Sequence, residues 1–177
     1  MSEDSNGNQV SIIIFQVGWE QFVIDLLDVK EIITAGQIRK LPKSLDYIDG
    51  IYNHRGEIIH VINLRKKLNL DEYIIYRSKN SSMMEEEEDL TNTRKYIIII
   101  KLDNNLIGFY VDQIINIDHI DVSEIIQLSP IFQTSVAIEY VKGVINFKER
   151  PRIMLDLGKI FNEVEIFKLQ QDLSSLT

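Results

Sequence analysis

Gly50 to Leu68 read GIYNHRGEIIHVINLRKKL. Two apolar, β-branched runs flank His54-Arg55-Gly56, the pattern of a β-hairpin whose glycine supplies a positive φ in the turn. Asn63 is a cap-type residue ahead of good helix formers, so a short helix follows the second strand. Gly143 to Phe161 return to the same phrase as GVINFKERPRIMLDLGKIF. YIDGIYN at Tyr47 matches YVKGVIN at Tyr140 in its Tyr, Gly and Asn positions as well as its apolar ones. Upstream, FVIDLLDVKEI and LIGFYVDQIINI correspond with about one residue of slippage. The chain is therefore organised as two small β-units in tandem. Many short strands with frequent turns point to barrels or sandwiches.

The remaining elements fit that plan. VSIIIFQV (Val10 to Val17) reads as a buried strand. FVIDLLDVKEII (Phe22 to Ile33) is long enough for a helix, but its Val and Ile content predicts strands broken near Asp28. KYIIIIKL and LIGFYVDQIINIDHI are strands around the turn Asp103-Asn104-Asn105. GKIFNEVEIFKLQQDL spaces Ile160, Phe161, Val164, Phe167 and Leu173 as one face of a C-terminal helix. Residues 1–8 form a flexible N-terminus, 9–167 the domain, and 168–177 the helix end and tail. Residues 78–93, which include Glu85 to Asp89 (EEEED), carry too much like charge and too little apolar surface to offset the entropy of ordering, which predicts a mobile acidic loop.

Composition narrows the function. The 177 residues are 45% apolar and contain no cysteine, which excludes thiolate chemistry and disulfides and fits a reducing compartment. The acidic N-terminus lacks a signal-peptide pattern, and YIIIIKL is far short of the roughly 20 apolar residues that span a bilayer. These features predict a cytoplasmic protein without direct membrane insertion. A formal net charge of −8 with no basic patch argues against nucleic acid.

Reactive constellations are missing too. His54, His60 and His119 do not have metal-ligand spacing, so neither a metal nor another cofactor is expected. There is no nucleophile elbow and no phosphate-binding glycine loop. Asp28 and Glu31 could pair for acid–base work, with His54 completing an unrecognised active site. Among 27 acidic residues, however, such pairs are expected on solvated faces. The sequence therefore predicts no enzyme. Arg55 stands out instead. It is either an ordinary solvated turn residue or the partner of a carboxylate on a neighbouring strand, Glu31 being the candidate. An exposed pair adds little stability, whereas a fixed planar donor fork suits recognition.

At these residues the chain resembles the CheW family of chemotaxis coupling proteins. The resemblance runs from about Gln9 to Phe167. Its most specific phrases are V-x-E-I at Val29 to Ile32, G-x-x-N-x-R-G at Gly50 to Gly56 and V-D-x-I at Val111 to Ile114. It implies a mostly β fold: two intertwined five-stranded SH3-like barrels, one per repeat, with a groove between them, short helices and a C-terminal helix. It also implies a non-catalytic adaptor that couples the cytoplasmic tips of chemoreceptors (methyl-accepting chemotaxis proteins) to the regulatory domain of the histidine kinase CheA in a membrane-associated array. Flagellar chemotaxis and a pilus or gene-regulatory pathway both remain open. The chain's length excludes a whole kinase, and no receiver domain is expected after the C-terminal helix.

Carried over by residue, the family's Glu–Arg pair falls on Glu31 and Arg55, and its hairpin glycines on Gly50 and Gly56. Val29, Val111 and Ile114 fall on its receptor-binding surface and adjoining core, and plain core packing explains these three equally well. Three residues depart from the family pattern: His54 stands where Leu is usual, His60 where Pro is usual, and Asn63 where Asp is usual.

Overall fold

A computed structural model describes residues 8–42, 45–70, 95–129, 138–148, 150–161, 165–166 and 168–169. Eleven strands are described: β1 (Gln9–Val17), β2 (Glu20–Asp25), β3 (Val29–Thr34), β4 (Ile48–His54), β5 (Glu57–Asn63), β6 (Tyr96–Leu102), β7 (Asn105–Val111), β8 (Gln113–Asp121), β9 (Ile125–Ile126), β10 (Val141–Phe147) and β11 (Arg150–Leu155). A helix of four residues, α1 (Leu64–Lys67), follows β5. The break expected near Asp28 is a 3₁₀ turn over Leu26–Asp28, held where Asp25 Oδ1 accepts from the Leu27 N–H at 2.9 Å. The expected Asn63 cap is present, with its side chain accepting from the Lys66 N–H at 3.2 Å. The acidic loop of 78–93 lies outside the described residues. The C-terminal helix is described only at Glu165, Ile166, Lys168 and Leu169. Ile160 and Phe161, expected on that helix, instead follow a 3₁₀ turn over Leu157–Lys159, and both are buried.

The strands form two sheets, ordered β8-β1-β2-β11-β10-β9 and β3-β6-β7-β5-β4. Each repeat supplies a hairpin (β1–β2 or β6–β7) and then three strands (β3, β4, β5 or β8, β10, β11). The sheet orders superimpose under that equivalence, but each hairpin sits among the other repeat's strands. A barrel therefore does not correspond to one repeat. Each is a hairpin from one half packed between strands of the other, and this exchange is what intertwines them. The chain crosses between sheets at Leu26–Asp28 and again at Asp112. There the Asp112 carboxylate accepts from the Gly18 N–H at 2.5 Å and pairs with Lys95 Nζ at 2.9 Å.

Among the described residues neither ladder closes on itself. Instead the chain that leaves one edge returns to the other. A 3₁₀ turn over Val122–Glu124 carries β8 into β9, which pairs with β10. In the second sheet the chain beyond β3 reaches Arg39, which exchanges two backbone hydrogen bonds with Ile51 of β4, at 2.8 and 2.9 Å. Both crossings pass close over a repeat glycine. A Cβ at Gly50 would lie 2.2 Å from the Arg39 carbonyl oxygen, and one at Gly143 would lie 2.6 Å from Ile125 Cγ2 and 3.0 Å from the Ile126 oxygen. This close approach explains why both halves carry glycine at the matching position.

The exchange also accounts for the isoleucine runs. Ile13, Phe15 and Val17 of β1 and Ile98 and Ile100 of β6 point into one core shared by both sheets. The alternate residues, Ile12 and Ile14 of β1 and Ile97 and Ile99 of β6, fill two separate cores, one per sheet. Strands buried on both faces cannot alternate polar with apolar, so they read as continuous apolar runs. The shared core is finished by Phe109 against Phe161, with ring centroids 6.0 Å apart, and by Leu64 and Leu68 around α1.

Candidate functional site

The β4–β5 turn is Arg55-Gly56, with φ of 53° and 85°. Positive φ at both central positions is the twist that suits a two-residue hairpin, and glycine fits it freely. Arg55 does not, because its Cβ crowds the backbone there, at about 1–2 kcal/mol. The Gly56 N–H donates to Asn53 Oδ1 at 3.0 Å, which helps set the turn. The sequence marked the glycine's conformation but not the arginine's. A non-glycine residue held in this region marks a place where surrounding structure enforces the geometry.

Glu31 lies on β3 just after a bulge at Lys30, and β3 and β4 are opposite edges of their sheet. Curling of that sheet brings Glu31 to the hairpin. Arg55 Nη2 donates to Glu31 Oε1 at 3.0 Å, the pair expected from the sequence. The sequence reading did not foresee that the second carboxylate oxygen is also engaged, by His54 Nε2 at 2.9 Å. Arg55's side chain is 76% exposed and His54's only 15%. The hydrogen bond from His54 is the main influence holding the Glu31 carboxyl below its ordinary value. Partial burial opposes it, and the Arg55 guanidinium adds to it. Ile99 and Leu106 form the apolar floor of this cleft of about 240 Å³, with Lys30 and Glu57 on its rim.

The other expected residues are placed elsewhere. Val29 and Ile114 are equivalent under the exchange of repeats, since each precedes a one-residue bulge in β3 or β8. Both are half-buried against the shared core. Val29 and the 90% exposed Leu27 line a depression of about 280 Å³ between the β3–β6 edge of one sheet and the Asp156–Gly158 turn that follows β11 of the other. Val111 is 1% exposed and belongs to the core. Gly50 is buried beneath Arg39, and Gly56 is exposed at the tip of the turn.

Asp28 lines the Leu27 depression, whereas Glu31 and His54 line the hairpin cleft, so the three do not converge on one pocket. Partial burial and, after it, repulsion from Asp25 raise the Asp28 carboxyl. Among the described residues no group of three or more His, Asp or Glu is placed to hold a metal. His60 is buried on β5, and His119 Nδ1 lies 2.9 Å from Ser11 Oγ. Nor is any described helix long and apolar enough to cross a membrane.

A second polar cluster escaped the sequence reading. Lys67, with its side chain 8% exposed, bonds Glu165 Oε1 at 2.7 Å, and the Tyr47 hydroxyl donates to the same oxygen at 2.5 Å. The ammonium also lies 4.4 Å from the Tyr47 ring centre and 5.7 Å from that of Tyr140, the matching tyrosines of the two repeats. Burial first, and the bond to Glu165 second, raise the Tyr47 hydroxyl well above its ordinary value. Nothing in the local pattern around Lys67 announced this pairing, because Glu165 is 98 residues away.

The family model for a CheW-like domain matches residues 11–165. The chain is 30% identical over 167 residues to the chemotaxis protein CheW of Treponema pallidum, covering 93% of this chain and 89% of that one. It is 29% identical over 154 residues to the chemotaxis protein CheW of Klebsiella aerogenes, covering 87% and 82%. Among solved structures, the scaffolding protein TtCheW from Thermoanaerobacter tengcongensis matches with a TM-score of 0.71 at 23% identity, over 93% of this chain and 96% of that one, a likeness of fold. With the family model spanning nearly the whole chain and two intertwined sheets carrying its motifs, the protein belongs to the CheW-like domain family.

Proposed function

We propose that the protein is a non-catalytic adaptor that couples the cytoplasmic tips of chemoreceptors to the regulatory domain of the histidine kinase CheA. On this reading it is a cytoplasmic protein recruited to membrane-associated arrays. Residues 9–167 act as one domain, and Glu31, Arg55 and Val29 face a partner. Gly50, Gly56, Val111 and Ile114 support that face by shaping the hairpin and the core behind it. The observation that carries the proposal is Arg55 itself, strained in its backbone, exposed in its side chain and anchored to Glu31 across the sheet. Such an exposed pair contributes little to stability, so a recognition role accounts for it better. The depression beside Leu27 and Val29 offers an apolar edge to a helix, which would dock in the helix-in-groove manner. Individually weak contacts suffice in an array, because multivalency multiplies them.

The test is capture of receptor tips and of the kinase regulatory domain by tagged wild-type and Arg55→Glu protein, with folding of both checked by circular dichroism. A folded Arg55→Glu that loses one or both partners supports the assignment. A folded Arg55→Glu that captures both as well as wild type removes Arg55 from it.

A further inference from the structure

From the geometry we infer that His54 is the positioning residue of the Glu31–Arg55 site: it locks Glu31 across the seam of the sheet and so sets the direction in which Arg55 is presented. The inference rests on the adaptor reading only for what Arg55 is presented to.

Glu31 and Arg55 stand on opposite edges of an open ladder, where the backbone link is the Arg39–Ile51 bridge. Arg55 cannot hold that seam by itself. Its long side chain is 76% exposed, and an exposed ion pair costs rotamer entropy while water screens it. His54 is better suited. It has two side-chain torsions, is mostly buried, and stacks on Tyr52 with ring centroids 6.4 Å apart and planes 25° apart. Tyr52 is itself confined, packing in the same core cluster as Ile33 of β3 and Ala35 and Ile38 of the segment that follows it. Gly36 leaves it room, since a Cβ there would come within 2.9 Å of the tyrosine ring. A rigid ring donating to Oε2 fixes the plane of the carboxylate, and that plane decides where Oε1 meets the guanidinium.

The bond requires a proton on Nε2, which both the neutral Nε2–H tautomer and the imidazolium carry. Among the described residues, the charged groups facing this junction are Lys30 and Glu31 from β3, Arg55 from the turn and Glu57 from β5. The larger influence of His54 than of Arg55 on the Glu31 carboxyl agrees with this division of labour.

The test follows the Glu31 side-chain carboxyl by ¹³C NMR titration in the full chain, for wild type, His54→Leu, His54→Gln and Arg55→Ala. Capture of the two partners is measured in parallel, with Arg55→Glu included. His54→Leu is expected to move the Glu31 titration upward, and by more than Arg55→Ala does. His54→Gln, which keeps a donor, should return it most of the way. Partner affinity should fall on the order of fivefold to tenfold in His54→Leu and recover in His54→Gln. A Glu31 titration unmoved by His54→Leu, or moved further by Arg55→Ala, overturns the inference. If Glu31 moves as expected while Arg55→Glu still captures both partners, the positioning stands and the adaptor's use of this face falls instead.

Discussion

Replacing Gly50 by alanine probes the seam on which the site depends. The added Cβ would sit 2.2 Å from the Arg39 carbonyl oxygen and 2.7 Å from its carbon. Neither is the end of a flexible side chain, so the segment through Arg39 must move. Moving it breaks two backbone hydrogen bonds with Ile51, an isolated bridge outside the sheet ladders. At about 1 kcal/mol each these account for roughly 2 kcal/mol. Overpacking strain adds about 1–3 kcal/mol, and Gly50's φ of 151° adds a further backbone penalty for a residue with a side chain. The expected loss is at least about 3–5 kcal/mol before the backbone penalty is added, a large share of the roughly 5–15 kcal/mol available to a domain. Urea denaturation followed by tyrosine and tryptophan fluorescence measures it as a lower midpoint. Gly143→Ala should cost less, because its nearest contact is a side-chain methyl of Ile125. A Gly50→Ala midpoint within error of wild type, or a larger loss in Gly143→Ala, would refute the reasoning.

Three further outcomes are expected. Gly56→Ala meets no atom of the described residues within 4 Å, so it should cost only the backbone term of about 1–2 kcal/mol in the same assay, well below Gly50→Ala. Lys67→Met removes the ammonium that bonds the mostly buried Glu165 and should destabilise by about 3 kcal/mol, measured by thermal or urea unfolding; the contacts Glu165 keeps, the Tyr47 hydroxyl among them, hold the loss at the lower end for a broken buried pair. Glu31 is held below its ordinary carboxyl value of 4.5, so the folded form binds its proton less tightly than the unfolded chain. The stability Glu31 contributes is therefore present above that value and lost as pH falls through the lowered one. Comparing wild type with Glu31→Gln across acidic pH should show a constant stability difference near neutrality that shrinks below about pH 4.5.

How much of this was legible can be followed at particular residues. The hairpin around Arg55-Gly56, the break at Asp28 and the Asn63 cap are local, and each was readable because turn and cap chemistry acts over three or four residues. The Glu31–Arg55 pair was readable from the residues only as one of two alternatives, beside a solvated Arg55, and the family resemblance favoured it; 24 residues separate the two and no spacing rule links them. His54 entered the sequence reading beside Glu31 only in a hypothetical acid–base set and as a departure from a family pattern. Its role as the second holder of the Glu31 carboxylate depends on β3 and the β4–β5 hairpin meeting in space. The Lys67–Glu165 pair escaped for the same reason at still longer range.

By itself the amino-acid sequence determined that this chain makes short apolar strands in two matching sets and where they turn. It did not determine which hairpin joins which strands. Both repeats offer similar apolar edges, and a ladder between β2 and β11 satisfies the same backbone groups as one between β2 and β5 would. Only the tertiary structure shows the exchange, in which the alternate faces of β1 and β6 both find apolar partners, one in the shared core and one in their own sheet. It also brings Glu31, on the opposite edge of the sheet from the β4–β5 hairpin, to His54 and Arg55, a meeting that no local pattern fixes.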